Sequence, residues 1–191
     1  MRCAWCGQDP LYQKYHDEEW GKPAPDDRSQ FEFLVLESAQ AGLSWLTVLR
    51  KREAYRESYA GFNPETVAGW GEKEIAQLLG NPGIIRNRRK IEASISNARI
   101  FLDISSRYGS FAGWLLSFTD GRIQVNNRNS LKEIPVTDSV AENIAREGKS
   151  LGMKFFGPII VYSHLQATGI VDDHLNGCWR RRQDSSITAP G

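Results

Sequence analysis

The chain has 191 residues, 40% of them apolar and 25% charged, with a formal net charge of +1. That is enough apolar material for one good core or two small lobes, and too little charge imbalance for a global field, so a polyanion has to be met by a local basic patch. No apolar run approaches the roughly 18 residues of a membrane span, the Met1-Arg2-Cys3 start lacks the apolar stretch of a signal peptide, and an odd cysteine count argues against a disulfide framework, so a reducing, cytoplasmic setting with no membrane partner is expected.

Helical periodicity predominates and predicts an all-α protein. Ser29-x-x-Glu32 reads as a capping box, followed by Phe31, Leu34, Val35, Ala41 and Trp45 on one helical face. Asn63-Pro64 opens another helix in the N-cap and N1 manner. Apolar positions recur at helical spacing from Ile84 to Leu102, and Gly109 ends that run. Ser110 opens a short helix with Trp114 and Phe118, and Arg122-Ile123-Gln124-Val125 is the single strand candidate. Asp138 caps a helix carrying Val140, Ile144, Ala145 and Leu151 and ending at Gly152; Met153 to Phe156 and then Gly157-Pro158 start the next. Glycines there let a phosphate approach the backbone, although an ordinary αα-hairpin has the same outline. Two basic clusters, Arg86 to Lys90 and Arg180 to Arg182, read as solvated faces or local patches. Residues 183–191 read as a disordered tail.

Cys3 and His16 stand near one end of the chain, His174 and Cys178 near the other. His-x-x-x-Cys on a helix would place two ligands on one face, one turn apart, and with Cys3 and His16 would make a tetrahedral zinc site joining the termini. Cys3-Ala4-Trp5-Cys6 is also a C-x-x-C knuckle, so Cys6 competes for a place in the set. Each of these residues taken singly is as well explained by burial.

Glu37 falls three residues after Leu34 and four before Ala41, beside the apolar stripe. Trp5, Tyr12, Tyr15, Trp20 and Trp45 lie around it in sequence. Aromatic faces with one carboxylate suit a flat, cationic heterocycle; the plain alternative is a packed core with Glu37 paired to an arginine.

Taken together, Cys3-Ala4-Trp5, Asp9-Pro10-Leu11-Tyr12, Tyr15-His16-Asp17-x-x-Trp20-Gly21, Glu37-x-x-Gln40-Ala41-Gly42-Leu43-Ser44-Trp45, Gly83 to Arg88, Lys154-Phe155-x-Gly157 and Asp173-His174-x-x-Gly177-Cys178 resemble the DNA-3-methyladenine glycosylase I family. The resemblance spans about Arg2 to Trp179. It implies a two-lobed, all-α helix-hairpin-helix glycosylase in which residues 1–182 form a single catalytic unit. It further implies one structural zinc on Cys3, His16, His174 and Cys178, with Cys6 left over. On the same resemblance Glu37, the expected catalytic residue, would line the base pocket with Trp5, Tyr15 and Trp45, and Tyr12 would stand beside them. The resemblance likewise implies that Gly152, Lys154 and Gly157 would grip the DNA backbone.

The implied substrate is double-stranded DNA containing 3-methyladenine, attacked by a monomer that flips the base out. Related enzymes that cut the strand carry a lysine just after the closing glycine; here Pro158 and Ile159 follow Gly157, so hydrolysis without lyase chemistry is expected. Asp172 stands where the family carries asparagine and reads as an ionic helper near the sugar or as a helix-end residue, the second reading being preferred. A zinc-stabilised helix-hairpin-helix DNA-binding module without catalysis is the competing reading, and the Glu37, Tyr15 and Trp45 set argues against it. A zinc hydrolase would need an open metal position, which four protein ligands do not leave.

Overall fold

Capping side chains set most of the helix starts in the computed structural model, which describes residues 1–24 and 26–182. The expected tail from residue 183 lies outside the described residues. The helices are α1 (Pro10–Glu18), α2 (Asp27–Gln40), α3 (Trp45–Leu49), α4 (Arg52–Ser58), α5 (Pro64–Ala68), α6 (Glu72–Gly80), α7 (Arg88–Tyr108), α8 (Phe111–Ser117), α9 (Ser139–Ser150) and α10 (Pro158–Ala167). Asp9 caps α1 by accepting from Leu11 and Tyr12 N–H, with Pro10 at N1, and Asn63, Asn87, Ser110 and Asp138 do the same for α5, α7, α8 and α9. Each such cap contributes about 1 kcal/mol. Gly109 ends α7 at φ 80°, a left-handed turn suited to glycine.

The all-α expectation holds, with one addition. β1 (Gln124–Val125) pairs in parallel with β2 (Val171–Asp172), Gln124 opposite Val171 and Val125 opposite Asp172. The strand candidate at 122–125 is thus found as β1, two residues long, while its partner β2 was not anticipated.

The expected capping box of α2 is not formed. Asp26 is the cap, its carboxylate accepting from Ser29 N–H at 2.9 Å, which leaves Glu32 to pair with Arg52 at 2.6 Å and Arg56 at 3.0 Å. A carboxylate is the stronger acceptor for an N-terminal N–H and also meets the positive end of the helix. The single stripe expected along this helix is likewise replaced. Trp45 belongs to α3, and Gln30 through Ala39 are buried on every side because α2 runs through the middle of the molecule, against α3, α7, α8 and α10.

Aromatic contacts tie this axis to its neighbours. Phe31 meets Phe101 edge-on at 5.4 Å, and Phe101 stacks on Phe111 at 4.4 Å. The α9–α10 hairpin packs closely: a methyl group on Gly148 would stand 2.6 Å from the Phe156 ring, so only glycine admits that ring against α9.

Candidate active site and metal cluster

Helix α2 buries four polar side chains, and three have partners. Gln30 Oε1 lies 2.7 Å from His164 Nε2, Glu32 holds Arg52, and Ser38 Oγ donates to the Phe155 carbonyl at 3.3 Å. Glu37 is the exception: it is 3% exposed, Oε2 has no hydrogen-bond partner, and no arginine reaches it. Burial alone pushes its carboxyl up to about 8, so it is largely protonated at neutral pH. An unpaired buried polar group costs stability, and groups of this kind are concentrated at functional sites.

Glu37 faces a cavity of about 320 Å³. α1 supplies Tyr12 and Tyr15, one turn apart; the short turn Ala4–Cys6 supplies Trp5, the loop after α1 Trp20, and the start of α3 Trp45. Trp5 stands edge-on to Tyr12 at 5.0 Å and to Trp20 at 4.9 Å, and Tyr15 lies 5.4 Å from Trp45. The indole N–H groups of Trp5 and Trp45 are buried without acceptors. Burial first, and then the neighbouring Glu37, hold the Tyr15 hydroxyl well above the usual phenol range, so it stays a neutral donor.

All five expected base-pocket residues are thus brought together. Three parts of the wall were missed. Gln40 comes from α2, Ser163 and Gln166 from α10, and Leu131 and Ile134 from the segment after β1. The α10 pair follows the i, i+3 spacing of one helix face, a signal that could have been found; Leu131 and Ile134 offer none.

The metal-ligand set also converges. Cys178 Sγ lies 3.4 Å from His16 Nε2 and 3.5 Å from His174 Nδ1, Cys3 Sγ lies 3.5 Å from His174 Nδ1, and the four ligand atoms fall within 4.8 Å of one another. Around a tetrahedral ion with metal–sulfur bonds of about 2.3 Å and metal–nitrogen bonds of about 2.05 Å, sulfur and nitrogen ligands stand about 3.6 Å apart. The buried cluster therefore fits a metal ion. Its outer contacts fit as well, because His16 Nδ1 lies 2.8 Å from Asp17 Oδ1 and His174 Nε2 lies 3.3 Å from the Trp20 carbonyl, which orients both rings. Burial pushes the Cys3 thiol up to about 12 and His174 down to about 4; a cation would reverse the first and suit the second. Cys6 stands outside the set, its thiol donating to the Cys3 carbonyl at 3.1 Å.

The expected helix through His174 and Cys178 is absent. The segment after β2 is a turn, closed by Cys178 N–H to the Leu175 carbonyl at 2.7 Å. Asp172 is the physical reason: Oδ1 accepts from His174 N–H at 2.9 Å and Oδ2 from Arg182 N–H at 2.8 Å, a local bonding alternative to the helix. Asp172 is accordingly a buried residue of β2 with both oxygens engaged, rather than the helix-end residue expected. Asp173, quoted above only as part of the Asp173-His174 motif, accepts from Asn126, Arg128, Tyr162 and Gln166, and so fixes the Gln166 side chain beside the pocket.

The glycine-flanked hairpin joins α9 to α10. Gly152 has φ +96° and needs to be glycine, whereas Gly157 has φ −79° and does not; a methyl there would meet nothing within 4 Å. Glycine at 157 thus keeps space clear outside the protein. Lys154 has its backbone N–H and carbonyl both bonded to Asn97, at 2.9 and 2.8 Å, and its side chain is exposed.

A mostly helical frame thus carries a glycine-flanked hairpin and, apart from it, a buried carboxyl group in an aromatic pocket. The family model described as methyladenine glycosylase matches residues 5–181, and the chain belongs to that family. It is 45% identical over 177 residues to DNA-3-methyladenine glycosylase 1 of Escherichia coli K12, a match covering 93% of this chain and 95% of that protein. A crystal structure of 3-methyladenine DNA glycosylase I superposes with a TM-score of 0.91 at 47% identity, over 95% of this chain and 100% of the other. A variant of 3-methyladenine DNA glycosylase I in complex with 3-methyladenine also gives a TM-score of 0.91, at 38% identity over 95% and 98% of the two chains.

Proposed function

We propose that this chain removes 3-methyladenine from double-stranded DNA in base-excision repair, as a monomeric, monofunctional glycosylase with one structural zinc on Cys3, His16, His174 and Cys178. Residues 1–182 act as one catalytic unit. The observation that carries the reading is the Glu37 carboxyl, buried and unpaired on the wall of an aromatic cavity.

An adenine methylated at N3 is a cation while attached to the sugar. Its entry converts the cost of an ionised Glu37 into an ion pair, and charge-assisted hydrogen bonds from the amino edge to the carboxylate are about twice as strong as neutral ones. Normal adenine is neutral and meets a mostly protonated Glu37, so it gains neither. The faces of Trp5, Tyr12, Tyr15 and Trp45 add cation–π attraction of roughly 0.5–2 kcal/mol per contact. With the base flipped and held, the C1′–N9 bond breaks, its electron pair neutralises the departing base, and water adds to C1′ with loss of a proton. The leaving group is already activated by its charge, so strong acid catalysis is not required.

The zinc, when bound, supplies a closed staple between the two ends of the chain rather than an activated water. Absence of lyase chemistry is supported by the pocket wall, which contains no lysine among the described residues. The hairpin with Gly152, Lys154 and Gly157 would hold backbone phosphates, contacts that position the duplex without reading its sequence.

The test is release of free base from methylated duplex DNA: 3-methyladenine is expected and 7-methylguanine is not. Zinc-containing, DNA-binding protein that releases neither would favour the non-catalytic module.

A further inference from the structure

The basic run Arg86 to Lys90 is divided by the fold into two halves with different duties. Arg88 is held by Glu72 at 2.7 Å and Glu92 at 3.3 Å. Lys90 turns inward, its ammonium donating at 2.7 Å to the carbonyls of both Ala39 and Ala41 at the end of α2. Arg86 and Arg89 are exposed, and among the described residues neither has an ion-pair or side-chain hydrogen-bond partner. Arg89 lines an open groove of about 480 Å³ whose other walls are Glu92 and the hairpin residues Lys154 and Phe155. The one acidic group in that groove, Glu92, is occupied by Arg88.

We propose that Arg89 and Lys154 form a phosphate-binding groove on the flank of the hairpin, and that Arg86 continues it, so that the duplex backbone runs from the hairpin across the first turn of α7. The contact is electrostatic and takes any phosphodiester backbone. Its placement relative to the pocket is fixed from both sides. The Ser38 hydroxyl bonds the Phe155 carbonyl, and Lys90 bonds Ala39 and Ala41, so both walls of the groove are tied to the stretch of α2 that carries Glu37 and Gln40. A backbone seated there stands in a set relation to the site that receives the flipped base. This rests on the duplex-binding reading above.

The experiment is a titration of undamaged and lesion-containing duplex by wild type, Arg89→Ala and Arg107→Ala across a sodium chloride series, with melting temperatures and 3-methyladenine release measured on the same preparations. Arg107 is paired with Asp103 at 2.6 Å at the far end of α7, about 27 Å along the helix, and serves as the charge control. Losing one phosphate contact lowers the slope of log affinity against log salt by about one. Arg89→Ala should show that change, with affinity for both duplexes reduced roughly threefold to tenfold at moderate salt. Arg107→Ala should match wild type. An Arg89→Ala slope equal to wild type, or a loss confined to lesion DNA, overturns the groove. Wild type without salt-dependent duplex binding overturns the reading beneath it instead.

Discussion

Trp20 and His174 touch twice: the Trp20 carbonyl lies 3.3 Å from His174 Nε2, and the two rings meet edge-on with centroids 4.5 Å apart. The same indole forms part of the pocket wall. Trp5 makes a second bridge, 5.4 Å from the His16 ring and also in the wall. The Cys3, His16, His174 and Cys178 cluster therefore lies directly behind the Trp5 and Trp20 part of the cavity wall, and a change in the one is expected to be felt in the other. Purified protein prepared without chelators is expected to hold one zinc per chain. Chelation should lower its melting temperature, a loss of about 3 kcal/mol corresponding to roughly 6–12 °C at this size, and should weaken binding of free 3-methyladenine in parallel. Metal analysis with thermal melts and a base-binding titration checks both; unchanged base affinity in metal-free, folded protein would separate the two sites.

Gly21 offers a sharper probe of that wall. Its φ is +79°, and a methyl group on it would stand 2.9 Å from His174 Nε2. Gly42 has nearly the same φ, +82°, with nothing within 4 Å of an added methyl. The strain of a left-handed alanine, about 1–2 kcal/mol, is common to both substitutions, so their difference isolates the contact with the ring. Gly21→Ala is expected to melt below Gly42→Ala and to retain less metal. Equal melting temperatures and equal metal content would show that the His174 ring has room to move.

Much of this site was legible because its chemistry depends on residue types that stand out. Four sulfur and imidazole ligands at the chain ends, and a carboxylate among tryptophans and tyrosines, are conspicuous wherever the backbone puts them. What failed was the inference from spacing to local structure. His-x-x-x-Cys suits a helix, but the Asp172 carboxylate captures the His174 N–H, and a turn delivers the same two ligands. The stripe on α2 was misread because a helix buried on all sides has no polar face against which a stripe can be seen. Leu131 and Ile134 reach the pocket through a segment that follows the β1–β2 pairing, a contact between residues 47 apart; the first strand was legible, but its two-residue partner was not.

Glu37 also links stability to pH. Its carboxyl stands at about 8 in the folded chain against 4.5 in the exposed state, so the native protein binds the extra proton between those values. Stability from this group is fully present below pH 4.5 and is lost as pH rises through 8, by an amount that is at most on the order of 5 kcal/mol. Glu37→Gln removes the ionisable group while keeping its shape. The variant should melt above wild type at pH 9, with the gap closing as pH falls below 5. A gap that does not vary with pH would mean that Glu37 is already ionised or already paired at neutrality.

The same substitution decides the recognition role. Glutamine presents one acceptor oxygen and one NH₂ group where glutamate has two acceptors, so a donor would oppose the amino edge of the base. It also removes the charge that distinguishes a cationic lesion from adenine. The combined loss, on the order of 1.5–3 kcal/mol, corresponds to a ten- to hundredfold fall in single-turnover release of 3-methyladenine. Affinity for undamaged duplex should hold, since the residues proposed to meet phosphates lie on the hairpin and α7. For wild type, excision at subsaturating enzyme should climb with pH to a plateau above 8, as Glu37 gives up its proton before the cation arrives, whereas the Glu37→Gln profile should be flat over that range. Because this variant is the more stable protein at high pH, a fall in activity there cannot come from unfolding. Wild-type rates from Glu37→Gln, or identical pH profiles for the two proteins, would remove Glu37 from the site that receives the base.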